Sequence, residues 1–347
     1  MFSFAGLFRR VNRALRALTL ILLAMAVVFP VTSFADTTAV AYLQKDAANL
    51  DSLVTSELAR NFLDAVEHLP AIDSPRVVYI NRAARTAIDS TAWAALSDSA
   101  RADYERREYG GEFYYFTRYG TPLAFVRPLD ICASHGLRHI DSLRVIDFGF
   151  GSIGQLRLLA SLGAEAVGIE VDPVLRVLYS HAGDTGGIAN VTEAGDDGHL
   201  SLHFGSFPSD TAMIRDIGAG YDLFISKNTL KRGYIHPARE VDPRMTIDLG
   251  VSDSVFAQTV YDLLNPGGLF MIYNLHPAEA SPDQPYIPWA DGRCPFDRQL
   301  LESIGFAVIE YDRNYTEFAH RMGTALGWGE QMDLENDLFG TYTLLRK

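Results

Sequence analysis

The feature that most restricts the fold is the stretch at residues 144–173, where an apolar strand runs into closely spaced glycines and then a helix and a second strand. Gly149, Gly151 and Gly154 let the backbone turn sharply and let a ligand approach without meeting a Cβ atom. The helix that begins there adds unpaired N–H groups and a positive partial charge. Glu170 ends the second strand, where a carboxylate can accept hydrogen bonds from both hydroxyls of a ribose. This arrangement predicts a binding site for a nucleotide-like cofactor.

Asp147 distinguishes between two classes of cofactor. The spacing of Gly149, Gly151 and Gly154 is that of a dinucleotide fingerprint, which makes an NAD(P)-dependent oxidoreductase one interpretation. A dinucleotide brings pyrophosphate to this turn, and a carboxylate two residues before the first glycine would repel it. A cofactor that carries a sulfonium and an ammonium group would instead be attracted by that carboxylate. The charge of Asp147 therefore favours the second class.

From residue 143 onward, predicted strands alternate with predicted helices, which is typical of a parallel sheet in an α/β protein. An amphipathic helix follows the glycines, and Pro173 opens another because proline suits the first helical turn. The predicted strands are 143–148, 166–171, 200–204, 221–226, 268–274, 306–312 and 340–346. Besides the helix that Pro173 opens, the predicted helices are 154–162, directly after the glycines, 251–264 and 296–304.

The motif at residues 145–151 resembles the first motif of class I S-adenosylmethionine-dependent methyltransferases. Ile153 stands where that family has its third glycine, and Ser206 where it usually has an acid. The resemblance implies a Rossmann-like, mostly parallel sheet of seven strands in the order 3-2-1-4-5-7-6, with the last strand antiparallel. It also implies S-adenosyl-L-methionine as the cofactor. Further segments that resemble the family are the ribose-binding strand end at 169–173, the adenine loop at 204–208, the turn at 263–269 and the closing hairpin at 303–308 and 341–347.

The resemblance and the residue chemistry together select the candidate cofactor-binding residues. Arg118 is among them because the aromatic segment 113–122 could form a lid, and a guanidinium can hold the cofactor's carboxylate through two hydrogen bonds. The alternative for that segment is aromatic packing against the sheet. The candidates are Asp147, Gly149, Gly151, Gly154, Glu170, Ser206, Phe207 and Arg118.

The segment at residues 226–237 follows the fourth strand of the α/β pattern and is predicted to face the crevice at the carboxyl ends of the strands. Lys227, Asn228 and His236 are the candidate catalytic residues, and a solvated basic loop is the equally weighted alternative. Methyl transfer needs a general base only if the acceptor must lose a proton. His236 would be that base because its charge can change near neutral pH. His276 is a weaker candidate of the same kind.

The overall charge restricts the partners that the chain can have. The net charge of −13 disfavours a nucleic-acid substrate, because an acidic protein repels the phosphate backbone. Cys132 and Cys294 do not have the spacing of metal ligands, and no metal site is predicted. The two cysteines either pair in an oxidising compartment or remain buried thiols. A small-molecule acceptor is therefore expected.

The domain organisation follows from three changes in character along the chain. Residues 1–35 combine four arginines, an apolar run at 17–31 and a small-x-small site, which predicts a secretory signal peptide or a membrane anchor. The protein would then be exported to the periplasm or the extracellular space, or anchored in the inner membrane through 17–31; it would be cytoplasmic if that segment is assigned wrongly. Residues 36–140 are predicted to form a helical appendage or lid, with helices in 39–69, 91–107 and 123–135, and 141–347 the Rossmann-like methyltransferase domain.

Methyl transfer to a small molecule is the function that these observations favour, and three alternatives stay open. The first is the NAD(P)-binding oxidoreductase. The second is an aminopropyltransferase-like enzyme, which shares the fold and whose polyamine substrates would suit an acidic crevice, although Asp196 and Asp197 are a poor substitute for its acid-rich loop. The third is a non-catalytic exported protein that keeps a methyltransferase-like fold as a binding scaffold.

Overall fold

The structure is a computed structural model that describes residues 39–72, 74–118, 120–192 and 195–347. The predicted signal peptide or anchor at 1–35 lies outside these residues. Within the part of the chain that is described, no helix is both long enough and apolar enough to cross a bilayer.

The N-terminal part of the chain is a mixed α/β layer and not the helical appendage that its pattern predicts. Three of its strands form an antiparallel sheet in the order β2-β1-β3. The elements are α1 (Ala39–Leu50), α2 (Glu57–Asp64), β1 (Arg76–Asn81), β2 (Thr86–Ile88), α3 (Ser90–Ala94), α4 (Asp98–Arg101), β3 (Glu105–Tyr109), α5 (Gly111–Tyr115) and α6 (Val126–Ser134).

The helix predicted over 91–107 was wrong because two local signals divide it. Ser97 caps a new helix by accepting a hydrogen bond from the Ala100 amide, which separates α3 from α4. The charged residues that follow pair with β1 through their main chain, as Arg107 does with Val78. Strand pairing of the backbone therefore overrides a helical side-chain pattern here.

Eight strands in the order β10-β11-β9-β8-β4-β5-β7-β6 form the central sheet, so the predicted number of seven was wrong. The additional strand is β6, three residues that pair antiparallel with β7 at the sheet edge. Without it, the strands numbered along the chain lie in the order 3-2-1-4-5-7-6, and β11 is antiparallel to both of its neighbours. The strands are β4 (Arg144–Phe148), β5 (Glu165–Glu170), β6 (Gly186–Ile188), β7 (Gly198–Phe204), β8 (Tyr221–Lys227), β9 (Leu264–His276), β10 (Ala307–Asn314) and β11 (Phe339–Arg346).

Both faces of this sheet are covered by apolar packing. Val145 of β4 belongs to one buried cluster and Ile146 to another, because successive strand side chains point to opposite faces. One cluster is rich in aromatic rings, with Phe224 and Phe270 only 5.3 Å apart between ring centres. The helices that follow α6 are α7 (Gly154–Ala160), α8 (Pro173–Leu178), α9 (Thr211–Ile217), α10 (Arg232–Ile235), α11 (Asp253–Leu263), α12 (Arg298–Ile304), α13 (Thr316–Ala325) and α14 (Leu334–Asp337).

Buried carboxylates fix the N-terminal layer internally and against the sheet part. Asp184 accepts two hydrogen bonds from the Arg76 guanidinium, at 2.8 and 2.9 Å, and one from the Tyr114 hydroxyl at 2.9 Å. Asp130 of α6 accepts hydrogen bonds from the amides of Thr55 and Ser56 just before α2. Asp184 therefore joins the N-terminal layer to the sheet part, Asp130 joins two helices within the layer, and both parts share one apolar core.

Replacement of Asp184 by alanine is expected to destabilise the fold strongly. The side chain of Asp184 is 3% exposed and that of Arg76 is 11% exposed, so the variant would leave a nearly buried guanidinium without its partner. Loss of one partner from a buried pair costs about 3–5 kcal/mol in free energy of unfolding. Urea denaturation measures the effect. The control Glu302→Gln breaks the exposed ion pair with Arg298 and should cost about 0.5 kcal/mol or less; equal losses in the two variants would contradict the prediction.

Candidate functional site

The glycine turn lies at the carboxyl end of β4, close to the end of β8. Gly149 and Gly151 have φ angles of +71° and +58°, in the left-handed region that favours glycine. A Cβ atom on Gly149 would lie 2.1 Å from the Thr229 hydroxyl oxygen, in the loop after β8. The turn and this loop can therefore approach one another only because Gly149 has no side chain.

Glu170 places its carboxylate against the same turn. The carboxylate accepts hydrogen bonds from the amides of Gly151 at 3.3 Å, Val171 at 2.8 Å and Asp172 at 3.3 Å. Burial raises the pKa of Glu170, and these hydrogen bonds act in the opposite direction. The side chain stands between the turn and the end of β5, and its interaction with a ribose stays a prediction.

Asp147 is buried beneath the turn and keeps one oxygen without a partner. Its Oδ2 atom accepts a hydrogen bond from the side-chain amide of Gln155 at 2.9 Å, whereas Oδ1 has no hydrogen-bond partner among the described residues. Burial raises the pKa of Asp147 to about 7, and the Gln155 hydrogen bond and the charge of Lys227 oppose this shift. An unsatisfied buried acceptor is costly, so this oxygen marks a position where a ligand's donor group would be stabilised.

Lys227 brings a positive charge to this edge of the sheet. It is the last residue of β8. Its ammonium nitrogen lies 5.4 Å from the centre of the ring of Phe125, the residue just before α6. Burial lowers the pKa of Lys227 to about 8, and the negative charge of Asp147 opposes the shift. The structure thus places Lys227 and Asp147, two predicted site residues from neighbouring strands, within electrostatic reach of each other.

Asn228 has a structural task in the same loop. Its φ angle is +65°, and its amide donates to the Tyr273 carbonyl oxygen at 3.0 Å. Its side-chain oxygen accepts a hydrogen bond from the Leu275 amide at 2.7 Å. These contacts tie the end of β8 to β9, so the Asn228 side-chain oxygen is already used within the fold.

The two candidate histidines have partners within the fold. His236 follows α10, is half exposed, and makes a 2.8 Å hydrogen bond through Nε2 with Asp253 at the beginning of α11. His276 contacts the Pro277 carbonyl oxygen and the Thr341 hydroxyl, and burial lowers its pKa. Neither histidine has a hydrogen bond to the glycine turn among the described residues.

The segment that includes α5 covers the glycine turn. The Thr117 hydroxyl donates to the Gly151 carbonyl oxygen at 2.6 Å, and the Ser152 hydroxyl donates to the Tyr115 carbonyl oxygen at 2.8 Å. Arg118 forms a 2.5 Å ion pair with Asp172, just beyond β5. Tyr115 is fully buried, so the segment both packs against the core and contacts the turn.

Two of the predicted cofactor-binding residues have packing roles. A Cβ atom on Gly154 would lie 2.8 Å from the Pro122 side chain, so this glycine allows close contact with the covering segment. Phe207 is buried, with its ring centre 5.6 Å from that of Phe148 and 5.4 Å from that of Phe256. The adjacent Ser206 is exposed and accepts a hydrogen bond from the Asp210 amide through its main chain.

Three residues of this region were missed by the sequence analysis. Gln155 bonds to Asp147, Thr229 packs against Gly149, and Lys231 is buried beside the end of β9. Lys231 donates to the Leu275 carbonyl oxygen at 2.6 Å, and burial lowers its pKa to about 7. Only Gln155 carries a sequence signal, since an amide in the first turn of a helix that packs on a sheet must find a partner.

Metal and disulfide chemistry have no support at this site. The described residues contain no group of three or more histidine, cysteine, aspartate or glutamate side chains that could hold a metal ion. Cys132 and Cys294 are free and buried, and burial raises the pKa of each thiol to about 12. The alternative of buried thiols is therefore the one that the structure shows.

The fold and the site together define an α/β protein with a glycine turn at the carboxyl end of β4. No protein-family model matches the chain, and no curated protein does so either. Solved structures that it resembles include an S-adenosylmethionine-dependent methyltransferase from Mesorhizobium loti, at 16% identity and TM-score 0.35, covering 62% of this chain and 96% of that one. Another is a cyclopropane synthase from Mycobacterium tuberculosis, at 11% identity and TM-score 0.38, covering 67% of this chain and 88% of that one. A third is magnesium protoporphyrin IX methyltransferase from Synechocystis, at 13% identity and TM-score 0.34, covering 67% of this chain and 82% of that one. Matches this distant do not by themselves assign a function.

Replacement of Gly149 by alanine is expected to cost more stability than replacement of Gly183. Both glycines have positive φ angles, +71° and +87°, so each variant incurs backbone strain of about 1–2 kcal/mol. A Cβ atom on Gly183 would meet nothing within 4 Å, whereas one on Gly149 would collide with Thr229. Chemical denaturation of the two variants separates the collision from the strain. Equal destabilisation of the two variants would show that the loop after β8 moves away from a Cβ atom at no cost in free energy of unfolding, which would contradict the prediction.

Proposed function

We propose that the protein binds S-adenosyl-L-methionine at the glycine turn and transfers its methyl group to a small-molecule acceptor. The observation that carries the proposal is the buried Asp147 beneath the turn, whose Oδ1 atom has no hydrogen-bond partner in the described part of the chain. A donor with positive charge satisfies this oxygen, and the cofactor's ammonium group is such a donor. Glu170 beside the same turn suits the two ribose hydroxyls.

The residues around the turn divide the work of binding and shielding. The bound cofactor supplies an electrophilic methyl group, and in-line transfer requires alignment of the acceptor and exclusion of water. Thr117 and Arg118 close the covering segment over the turn from the N-terminal layer. The acceptor would enter at the carboxyl ends of β8 and β9, next to Lys227.

Lys227 is the strongest candidate for contact with the acceptor. Its pKa of about 8 lets it act as a charged donor toward an acidic group or, when neutral, as a proton acceptor. The side-chain oxygen of Asn228 is occupied by the β9 backbone, and His236 is held by Asp253. We therefore propose Lys227 as the functional residue of this loop and a structural role for Asn228.

Electrostatics argue against the dinucleotide alternative. Asp147 places a carboxyl group beneath the turn, where a dinucleotide would bring its pyrophosphate. A negative charge in a poorly solvated site repels a phosphate strongly. No comparable observation favours an aminopropyltransferase, and a non-catalytic scaffold would bind the cofactor but show no turnover.

Isothermal titration calorimetry with S-adenosylhomocysteine and with NAD⁺ tests the proposed cofactor. Saturable binding of the first and not the second is expected, and the reverse would establish the oxidoreductase alternative. Glu170→Ala should weaken S-adenosylhomocysteine binding by roughly 10–100-fold, because a charged hydrogen-bond acceptor for the ribose is lost. The exposed Glu302→Gln serves as the charge-matched control and should bind normally.

The affinity for S-adenosylhomocysteine is expected to rise between pH 6 and pH 8. The pKa of Asp147 is about 7, so the carboxyl group is neutral at the lower pH and charged at the higher, and its charged form attracts the ligand's ammonium group. A single proton accounts for at most about a tenfold change per pH unit. Asp147→Asn should flatten this rise, whereas Asp262→Asn on the α11 surface should keep it. A rise that persists in Asp147→Asn would remove Asp147 from the site.

Residues 1–35 are proposed to act as an export signal or as an anchor through 17–31. The support is their sequence pattern of arginines, apolar residues and a small-x-small site. A reporter fused after residue 347, together with N-terminal sequencing of the mature chain, tests the proposal. A cytoplasmic reporter on an uncleaved chain would contradict it.

A further inference from the structure

A cleft of about 490 Å³ is lined by Arg127 of α6. Phe125 faces the Lys227 ammonium, whereas Arg127, two residues later, lines this cleft. The remaining walls come from β10, β11, α13 and the segment just before α2. Its volume lies in the range that small-molecule sites occupy.

Three guanidinium groups from three different elements converge on the cleft, in a chain whose net charge is −13. Arg127 comes from α6, Arg313 from the end of β10 and Arg321 from α13. Glu310 and Glu317 also line it and Asp130 pairs with Arg127, so the three positive charges face three negative ones. Neither Arg313 nor Arg321 forms an ion pair within residues 39–72, 74–118, 120–192 and 195–347.

Arg127 is held in place before any ligand arrives. Its guanidinium forms a 3.1 Å ion pair with Asp130 and lies 4.4 Å from the centre of the Phe318 ring. Its Nε atom is buried and has no hydrogen-bond partner in the described part of the chain. A fixed guanidinium with an unused donor is prepared to bind an acceptor without a large loss of side-chain freedom.

Aromatic side chains form the apolar part of the same cleft. Tyr315, Phe318 and Tyr342 line it; each is at most 9% exposed, so each offers a small apolar surface to a ligand's body. A fully hydrated ion such as phosphate would not use these surfaces. The combination of arginines and aromatic walls therefore selects a ligand with one anionic end and one apolar end.

We propose that this cleft binds a small carboxylic acid whose carboxylate is held by Arg313 and Arg321 and whose apolar body packs against Phe318 and Tyr342. Planar guanidinium groups match a carboxylate through paired hydrogen bonds. Binding here does not depend on the glycine turn, because no residue that lines the cleft also contacts the turn. The site is thus separate from the proposed cofactor site.

Titration of the purified protein with benzoate, in the absence of any nucleoside, tests the proposal. Saturable binding at micromolar to millimolar concentrations is expected by calorimetry or by chemical-shift changes. The Arg313→Gln, Arg321→Gln double variant should weaken it at least tenfold, and Arg313→Lys should weaken it less, because charge remains but the paired hydrogen bonds are lost. Glu310→Gln should strengthen binding by removing a repelling charge.

Arg298→Gln is the matched control, since Arg298 is an exposed arginine on α12 that pairs with Glu302 away from the cleft. It should bind benzoate as the unmodified protein does. Thermal denaturation of each variant confirms that the fold is retained; Arg313 and Arg321 are exposed, which makes their replacement compatible with folding. The proposal is overturned if benzoate does not saturate, if Arg298→Gln loses as much affinity as the double variant, or if inorganic phosphate binds more tightly than benzoate.

Discussion

The contact between Gly149 and Thr229 is the constraint on which the functional edge of the sheet depends. A turn after β4 and a loop after β8 meet there at a distance that no side chain on Gly149 would allow. Parallel strands bring their carboxyl ends to one edge of a sheet, and the two connections must share that space. The close approach sets the position of Asp147 and Lys227 in turn, since each lies within two residues of the contact.

Burial rather than pairing dominates the electrostatics of this edge. It raises the pKa of Asp147 to about 7 and lowers that of Lys227 to about 8, while their mutual attraction opposes both shifts. Groups that titrate near neutral pH change charge at little energetic cost, which is the property that binding and proton transfer require. The edge therefore combines a rigid backbone with side chains whose charge depends on what they contact.

The parts of the fold that the sequence predicts are those in which local pattern and tertiary role agree. The apolar runs of β4, β5 and β8 are buried on both faces, as parallel strands are, and the position of Glu170 at the end of β5 followed from this pattern. Lys227 was predicted to follow its strand and is the last residue of β8. The strand β3 escaped prediction because its Glu-Arg-Arg-Glu sequence has no apolar alternation and depends on pairing with β1. Thr229 was missed for a related reason: its contact with Gly149 spans distant parts of the chain. Phe207 was predicted to contact the cofactor because its loop resembles the family's, and its ring packs against those of Phe148 and Phe256.

The N-terminal layer is part of the same folded unit as the sheet, and this restricts how a cofactor reaches the turn. Asp184 fixes the layer to the sheet part through Arg76 and Tyr114, and Asp130 joins α6 to the start of α2 within the layer. Movement of the whole layer would break the Asp184 network and expose the shared core. The Thr117–Gly151 hydrogen bond and the Arg118–Asp172 ion pair also hold the segment after α5 against the turn. A cofactor therefore reaches the turn while the layer stays in place against the sheet.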